Sequence, residues 1–505
     1  MKKGGAKPGL DVLLVTPSSR AQVYQSLSNE YAAIEPPVWS SLLATYLRNR
    51  GYGVAILDAE AEALSHDETA RRIKDAGAVL NVFVIYGQQP SASTQCMPAG
   101  RSVCKLLLEK WPEARTVVMG THASALPERT LMEEPYEFVC DGEGPLTVLA
   151  LLEVLKGGRE KYSAVPGLWY RQQGRAVGVP AAEKFKDLDT DLPGQAWDLL
   201  DMTKYRAHNW HCFDHIEQRQ PYASIQTSLG CPFKCSFCCI NAPFKSAGIR
   251  YWSPEHIIGQ IDTVVSRYGV KNIKIPDEMF VLNEAHVLGI CDLIIERGYD
   301  LNIWAYARVD TVREKFLEKL RKAGFRWLGI GIESGSKHVR DGVEKGRFGE
   351  IEIEKTVRKI RESGVYVGAN YIFGLPDDTH VTMRQTLDLA KHLNTEWANF
   401  YSAMAYPGSP LYRLAVEKRW PLPETWIGYS QHAFETLPLP TETLGGAEVL
   451  AFRDRAFTEY FANPAYLKMI GEKFGAGVRE HVVRMTAHRV ERRHVPAAAE
   501  KRLAG

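Results

Sequence analysis

The stretch Gln226–Phe244, QTSLGCPFKCSFCCINAPF, sets Cys231, Cys235, Cys238 and Cys239 within nine positions of a 505-residue chain. It continues the β-rich run SIQTSLG (224–230), so the cysteines fall on a loop that follows a strand. Cys231, Cys235 and Cys238 form C-x3-C-x2-C, a spacing that lets one short loop wrap three thiolates around a metal cluster. A cube of four irons normally takes four cysteines, and a structural zinc site also takes four ligands. Three cysteines on a cube leave one iron open for a reacting ligand. The competing readings are a zinc knuckle completed by Cys239 or His215, or plain burial of unligated thiols. The other five cysteines, Cys96, Cys104, Cys140, Cys212 and Cys291, are scattered and read as structural. No second cluster is present to close the first.

Outward from the cysteines, the second half of the chain alternates strand and helix patterns in six beats. The strand candidates are 224–230, 270–278, 301–308, 325–334, 366–376 and 397–407. Helical patterns follow the first five, as in SPEHIIGQIDTVVSRYG with Ser253 as N-cap and Pro254 in the first turn. Six βα units are too few for a closed eight-stranded barrel, so residues 216–415 are expected to form a partial (β/α)6 barrel with its site on the loops after the strands. Residues 416–505 read as a mainly helical region ending in HRVERRH, which reads as a solvated helix.

Residues 1–155 also alternate, with apolar runs at 11–17, 53–59, 78–87, 115–121 and 136–144 separated by amphipathic helical stretches. The pattern predicts an α/β, doubly wound, five-stranded parallel sheet of Rossmann-like form covered on both faces. Ligands of such sheets sit at the carboxyl ends of the strands. The turns there are rich in Gly, Ser, Thr and Gln, which suits a polar cofactor, and the absence of G-x-G-x-x-G removes support for a nicotinamide. Residues 156–215 read as a small hairpin and linker.

A formal net charge of +2 gives no bulk electrostatic reason to expect nucleic acid. No apolar run approaches the ~20 residues of a membrane span. The basic N-terminus has a short apolar stretch without a small-residue cleavage site, so the expected location is cytoplasmic.

C-x3-C-x2-C after the first strand of a partial barrel resembles the signature of radical S-adenosylmethionine (SAM) enzymes. The resemblance extends over most of residues 220–415. It implies that Cys231, Cys235 and Cys238 hold a [4Fe–4S] cluster and that SAM binds the open iron. Phe237 matches the aromatic beside the adenine, and Glu333 and Ser334 in GIGIESGS resemble the fourth-strand motif. Gly374 and Pro376 in IFGLPDDT resemble the fifth-strand turn, and Tyr406–Pro410 the turn after the sixth strand. Arg308 ends the third strand, where a guanidinium suits the SAM carboxylate. Asp277 and Glu278 end the second, in reach of SAM or substrate.

The first half resembles the cobalamin-binding domain of the cobalamin-dependent subfamily. The resemblance implies cobalamin contacts from Tyr86, Gln88, Ser93 and Thr94 in YGQQPSAST, the expected loop under the corrin. It also implies contacts from Gly120, His122 and Ser124 in GTHAS, and from Gly142 and Gly144 in DGEGP. The D-x-H-x-x-G motif that supplies a cobalt-ligating histidine is absent from this half, so His122 reads as a hydrogen-bonding turn residue. The implied activity is methylation of an unactivated carbon of a small biosynthetic molecule through a 5′-deoxyadenosyl radical and methylcobalamin. The implied electron donor is of flavodoxin or ferredoxin type.

Members of the family also close a ring on a porphyrin side chain or methylate phosphorus or sp2 carbon, and the motifs do not separate these outcomes. Transfer-RNA methylthiolation would want three further cluster cysteines in the first half, whereas Cys96, Cys104 and Cys140 fall on helix and strand segments. A non-catalytic cobalamin or iron–sulfur sensor is the binding-protein alternative. No catalytic acid or base stands out.

Overall fold

The computed structural model describes residues 9–87, 89, 91–158, 161–346 and 348–495. The chain divides into two compact units: residues up to Ser19 with Pro37–Asp201 and Ile240–Ser246, and Arg20–Pro36 with Met202–Cys239 and everything from Ala247 on. The short segment Arg20–Pro36, early in the chain, thus belongs to the second unit.

In the first unit the apolar runs become β1 (Val12–Thr16), β2 (Val54–Asp58), β3 (Leu80–Val84), β4 (Thr116–Met119) and β5 (Phe138–Cys140). They pair in parallel in the order β2-β1-β3-β4-β5, with Val12 opposite both Val54 and Leu80. The winding reverses between β1 and β3, which opens a crevice at their carboxyl ends. β3 is buried along its whole length, as expected for a strand covered on both faces. The hairpin expected after residue 155 is β6 (Leu168–Gln172) and β7 (Arg175–Gly178), and it extends the sheet antiparallel from β5 to make seven strands.

The second unit contains β8 (Tyr222–Ser224), β9 (Ser228–Leu229), β10 (Arg250–Tyr251), β11 (Asn272–Ile275), β12 (Asn302–Arg308), β13 (Phe325–Glu333), β14 (Tyr366–Phe373) and β15 (Trp397–Ser402). Six of these form one curled parallel sheet in the order β15-β14-β13-β12-β11-β8. The first strand leaves this sheet after Ser224, and Ser228–Leu229 pairs instead with Arg250–Tyr251. That two-residue ladder closes the base of the cysteine loop. The floor of the half-barrel is aromatic and ionic. Trp210 packs edge-on to Trp304 and Trp327 at 5.1 and 5.2 Å. Lys274 of β11 is buried against Glu35 at 2.9 Å, and Ser224 donates to the same carboxylate at 3.4 Å.

After the sheet come the helix Pro410–Glu417 and then the helices Gly446–Phe461, Pro464–Phe474 and Ala476–Ala487. The tract HRVERRH is not helical: the last helix ends at Ala487 and the tail runs back over the unit. The reason is Arg492, whose guanidinium bonds both oxygens of Asp454 at 2.9 Å and also reaches Gln431 O, Ala433 O and Thr436 Oγ1 at 3.0–3.1 Å. Five acceptors hold this cation more firmly than the i→i−4 ladder of a terminal helix would. Among the described residues no helix is long and apolar enough to cross a membrane.

Candidate active site

The cysteine loop is anchored by its backbone. Ser236 N–H donates to Val343 O at 3.0 Å, and Ser236 O accepts from Leu411 N–H at 2.8 Å. Gly248 N–H closes onto Cys231 O at 3.1 Å. Cys231 and Cys235 are buried and Cys238 is half-buried. Arg308, at the end of β12, directs Nη1 at Cys235 Sγ at 3.4 Å and lies 3.8 Å over the ring of Phe233. Three thiols on one pinned loop, with a guanidinium N–H on one sulfur, fit a three-cysteine cluster. The cation lowers the energy of negative sulfur in a partly dry site. Cys239 is buried, with its thiol pushed up to about 12 by burial. Burial likewise pushes Cys96, Cys104, Cys140, Cys212 and Cys291 up to about 12, as for inert core thiols.

Arg308 does not hold its fork open for a ligand carboxylate. Asp310 occupies it with two bonds of 2.9 Å, and Nη2 also bonds Lys345 O. Glu333 stands at the end of β13 in left-handed backbone, φ +67°, where the pairing to β14 slips by one residue. This bulge re-aims the side chain, and Lys345 meets it at 2.5 Å. Burial works against the Lys345 ammonium, but Glu333 outweighs it and raises the pKa.

Asp277 is fully buried. It accepts from Thr227 N–H at 2.8 Å, Thr227 Oγ1 at 2.6 Å and Ser228 Oγ at 2.5 Å. Its carboxylate therefore fixes the strand leading into the cysteines rather than facing a ligand. Burial raises it to about 6 against those donors. Glu278 is half-buried and accepts no hydrogen bond among the described residues; burial raises it to about 7, with Lys274 opposing.

Phe237 packs against Val339, Val343, Leu375 and Ala403. Ser334 is covered by protein and engaged with Thr386 Oγ1 at 3.1 Å, so it sets the turn after β13. The fifth-strand turn is held by a residue the motif reading passed over. Asp378 accepts from Gly374 N–H at 3.0 Å, Leu375 N–H at 3.1 Å and Thr382 Oγ1 at 2.7 Å, which leaves Pro376 half-buried on the turn. The spacing D-T-x-x-T was the available signal, since it marks a helix N-cap.

In the first unit, Tyr86 lies two residues past β3, stacks on Trp39 at 4.5 Å and donates to Glu143 O at 3.3 Å. Gln88 lies outside the described residues. Ser93 and Thr94 are not in a loop but in the first turn of the helix Ala92–Lys110. Both are buried: Ser93 Oγ bonds Ile85 O and accepts from His122 N–H at 3.0 Å, and Thr94 Oγ1 bonds His122 Nδ1 at 3.2 Å. His122 is itself buried and held neutral, its pKa lowered to about 3 by burial and the Arg129 charge. Ser124 Oγ clamps Gly142 through both N–H and C=O at 3.1 Å. These covered side chains shape the turns rather than present a face to a ligand.

Gly120 and Gly144 are packed, a Cβ there falling 2.0 Å from Ile85 O and 2.2 Å from Met119 Cε. Gly142 differs: φ is +130° and a Cβ would meet nothing within 4 Å, so bare backbone faces open space at the carboxyl edge of the sheet. That fits a cofactor tail approached by main chain. Lys245, a few residues past the cysteines, bonds Asp141 and donates to Ser124 O at 2.9 Å, closing the same turn.

Comparison with known proteins agrees with this layout. Residues 225–390 match the model of the Radical SAM superfamily, and residues 25–152 match that of the B12 binding domain. An uncharacterized methyltransferase of Pyrococcus horikoshii is 29% identical over 83% of this chain and 86% of its own. The anaerobic magnesium-protoporphyrin IX monomethyl ester cyclase of Rubrivivax gelatinosus is 27% identical over 88% of this chain and 77% of its own. Among solved structures, the radical S-adenosylmethionine methyltransferase TsrM from Kitasatospora setae, with cobalamin and a [4Fe-4S] cluster bound, superimposes with a TM-score of 0.65 at 18% identity over 90% of both chains. The cobalamin-dependent S-adenosylmethionine radical enzyme OxsB gives 0.70 at 16% identity over 95% of this chain and 72% of its own. At these identities the structural likeness speaks for the fold.

Proposed function

The chain belongs to the cobalamin-dependent radical SAM enzymes, and on that premise we propose that it is a methyltransferase acting on an unactivated carbon of a small biosynthetic molecule. Its cofactors are a [4Fe–4S] cluster, SAM and cobalamin. When bound, the cluster supplies the electron that cleaves SAM, and cobalamin supplies the methyl group. The observation that carries the reading is the three-cysteine loop on a half-barrel in one chain with a B12 domain.

Cys231, Cys235 and Cys238 hold the cluster. Arg308 donates to Cys235 sulfur and keeps charge balanced beside it, while Asp310 fixes the guanidinium plane. Glu333, held by Lys345, presents its carboxylate for the polar groups of SAM. Phe237 and the Gly374–Pro376 turn form the apolar side of that pocket. Asp277 keeps the approach strand in register. Glu278, raised to about 7 by burial, is matched to proton transfer near neutrality. In the first unit, Tyr86 and the turns at Gly120–Ser124 and Gly142–Gly144 shape the cobalamin side. We take the protein to be cytoplasmic and its electron donor to be a flavodoxin or ferredoxin.

The test is anaerobic reconstitution with all three cofactors and SAM carrying a deuterated methyl group, using a library of candidate small molecules. Formation of 5′-deoxyadenosine with a labelled methyl on product is the expected result. A ring-closing reading is favoured by the cyclase relatives. It would give 5′-deoxyadenosine and oxidised product without label, and would replace the methyltransferase reading.

A further inference from the structure

One face of the half-barrel carries polar groups that the roles above leave unused. Parallel register places Arg308 beside Gly331, Gly331 beside Asn370, Asn370 beside Asn399, and Ile372 beside Tyr401. Side chains two apart on a strand share a face, so Tyr306, Asn370, Asn399 and Tyr401 lie on the same face as Arg308. All four are half-buried, Tyr306 and Asn370 on the inner strands β12 and β14 and Asn399 and Tyr401 on the edge strand β15. A Cβ built at Gly368, in the same wall, would meet nothing within 4 Å. Open space therefore borders β14 at Gly368, whereas on β13 the same face is filled, a Cβ at Gly329 falling 3.0 Å from the Tyr306 ring and one at Gly331 2.6 Å from Glu333 Oε1 and Lys345 Nζ. Tyr306 is close enough to Tyr401, Tyr24 and Glu278 to feel each electrostatically, so these groups converge.

The polarity of this wall is fixed. Trp397 Nε1 can only donate, so the Asn399 atom it meets at 2.9 Å is Oδ1. Asn399 Nδ2 must then donate to Asn370 Oδ1 at 2.9 Å, and Asn370 Nδ2 points to Ile330 O at 3.4 Å. Each amide oxygen accepts one of these bonds and each amide keeps one N–H. The hydroxyls of Tyr306 and Tyr401 make no hydrogen bond among the described residues. The wall thus presents amide N–H donors and two hydroxyls that can donate or accept. Among the described residues it is offered no unpaired cation: Lys274 is held by Glu35, Lys345 by Glu333, Arg308 by Asp310 and Arg453 by Asp454.

We infer that Tyr306, Asn370, Asn399 and Tyr401 form a substrate-recognition wall that selects an uncharged group bearing a carbonyl or hydroxyl oxygen and rejects a carboxylate or phosphate at that position. The inference rests on the methyltransferase reading, which makes the barrel interior the substrate chamber. An anion here would be desolvated against neutral donors with Glu278 nearby, whereas a neutral acceptor loses little on leaving water.

The test uses reconstituted holoenzyme and three isosteric probes, 2-naphthamide, 2-naphthoate and 2-methylnaphthalene, titrated by probe fluorescence. Naphthamide should bind tightest, by at least about tenfold over naphthoate. Tyr306→Phe and Tyr401→Phe should each weaken naphthamide about fivefold while leaving methylnaphthalene unchanged; loss of packing alone would weaken both neutral probes together. Naphthoate binding as tightly as naphthamide, saturable binding of no probe, or variants that move both neutral probes equally or neither would overturn the inference. Failure of the underlying reading shows elsewhere: wild-type holoenzyme that never yields 5′-deoxyadenosine sinks the proposed function whatever the probes do.

Discussion

Replacing Lys345 by Met removes the charge that holds Glu333 and keeps most of the volume of the side chain. Both partners are almost wholly covered, with 8% side-chain exposure each. Stranding a buried charge commonly costs about 3–5 kcal/mol, but Glu333 has an escape, since it can take up a proton. The cost of doing so at pH 7 is set by the unfolded glutamate pKa of about 4.3, which gives roughly 2.7 units or about 3.7 kcal/mol. That figure is a ceiling at pH 7. At pH 5 the same step costs only about 1 kcal/mol, because the unfolded state is itself nearer to protonation. The sign follows from linkage. A partnerless buried carboxylate is a penalty only where the unfolded chain would hold it ionised, so the penalty is absent below about 4.3 and grows as pH rises above it.

A chain of two units need not unfold in one step, so the readout should be local. Native-state hydrogen exchange of the amides of Phe325–Glu333, corrected for intrinsic rates, reports opening of β13 alone. Exchange should accelerate by up to about 500-fold at pH 7 and by only about fivefold at pH 5. Adding Glu333→Gln to Lys345→Met should restore protection at pH 7, because no buried charge then remains, yet SAM affinity should stay low because the carboxylate is gone. An acceleration equal at both pH values would refute the account, since it would mean that lost packing rather than a stranded carboxylate opens the strand.

Three further outcomes follow from the same geometry. After anaerobic iron and sulfide reconstitution, alanine at Cys231, Cys235 or Cys238 should abolish the dithionite-bleachable visible absorption, whereas Cys239→Ala should keep it; its loss in the Cys239 variant would reassign the ligands. His122→Ala should leave the paramagnetic resonance spectrum of bound cobalt unchanged and reduce stability by about 1 kcal/mol through its lost bond to Thr94, so a vanishing nitrogen hyperfine pattern would make His122 a ligand. Arg492→Met should release the tail, raising proteolysis beyond Ala487 and exchange across residues 431–436 by an amount equivalent to about 3 kcal/mol. Burial opposes ionisation of Asp454, but Arg453 and Arg492 lower its pKa, so the wild-type tail should loosen only as pH falls below the ordinary carboxylate range.

What the sequence made legible was what the chain writes locally. The five strands of the first unit show as continuous apolar runs because a strand covered on both faces needs no alternation, and β1–β5 fall inside those runs. The cysteine loop shows because its spacing is covalent. Arg308 could be placed at a strand end, but not its partners, since Cys235 is 73 residues away and Lys345 is 37. Glu35 gives no sign of serving Lys274, 239 residues on, because one glutamate in a short segment has no periodicity to read. The tail fails for a related reason: HRVERRH has the composition of a solvated helix, and only Asp454, 38 residues earlier, decides otherwise.

The neutral polar wall lies one step further out. Neither Asn370 nor Asn399 has an orientation in the sequence, and an isolated asparagine offers donor and acceptor alike. Orientation appears once β14 and β15 are in register and a tryptophan N–H two residues from Asn399 takes the first oxygen. From there each bond determines the next. The substrate preference of this chain therefore resides in the pairing register of two strands, and moving Trp397 should matter as much as changing either amide. Trp397→Phe frees Asn399 to turn its oxygen inward, with Asn370 turning in step so that the two oxygens do not meet, and the affinity ratio of 2-naphthamide to 2-naphthol should then shift toward naphthol, whose hydroxyl can donate. Unchanged selectivity in that variant would show that something other than the tryptophan sets the orientation.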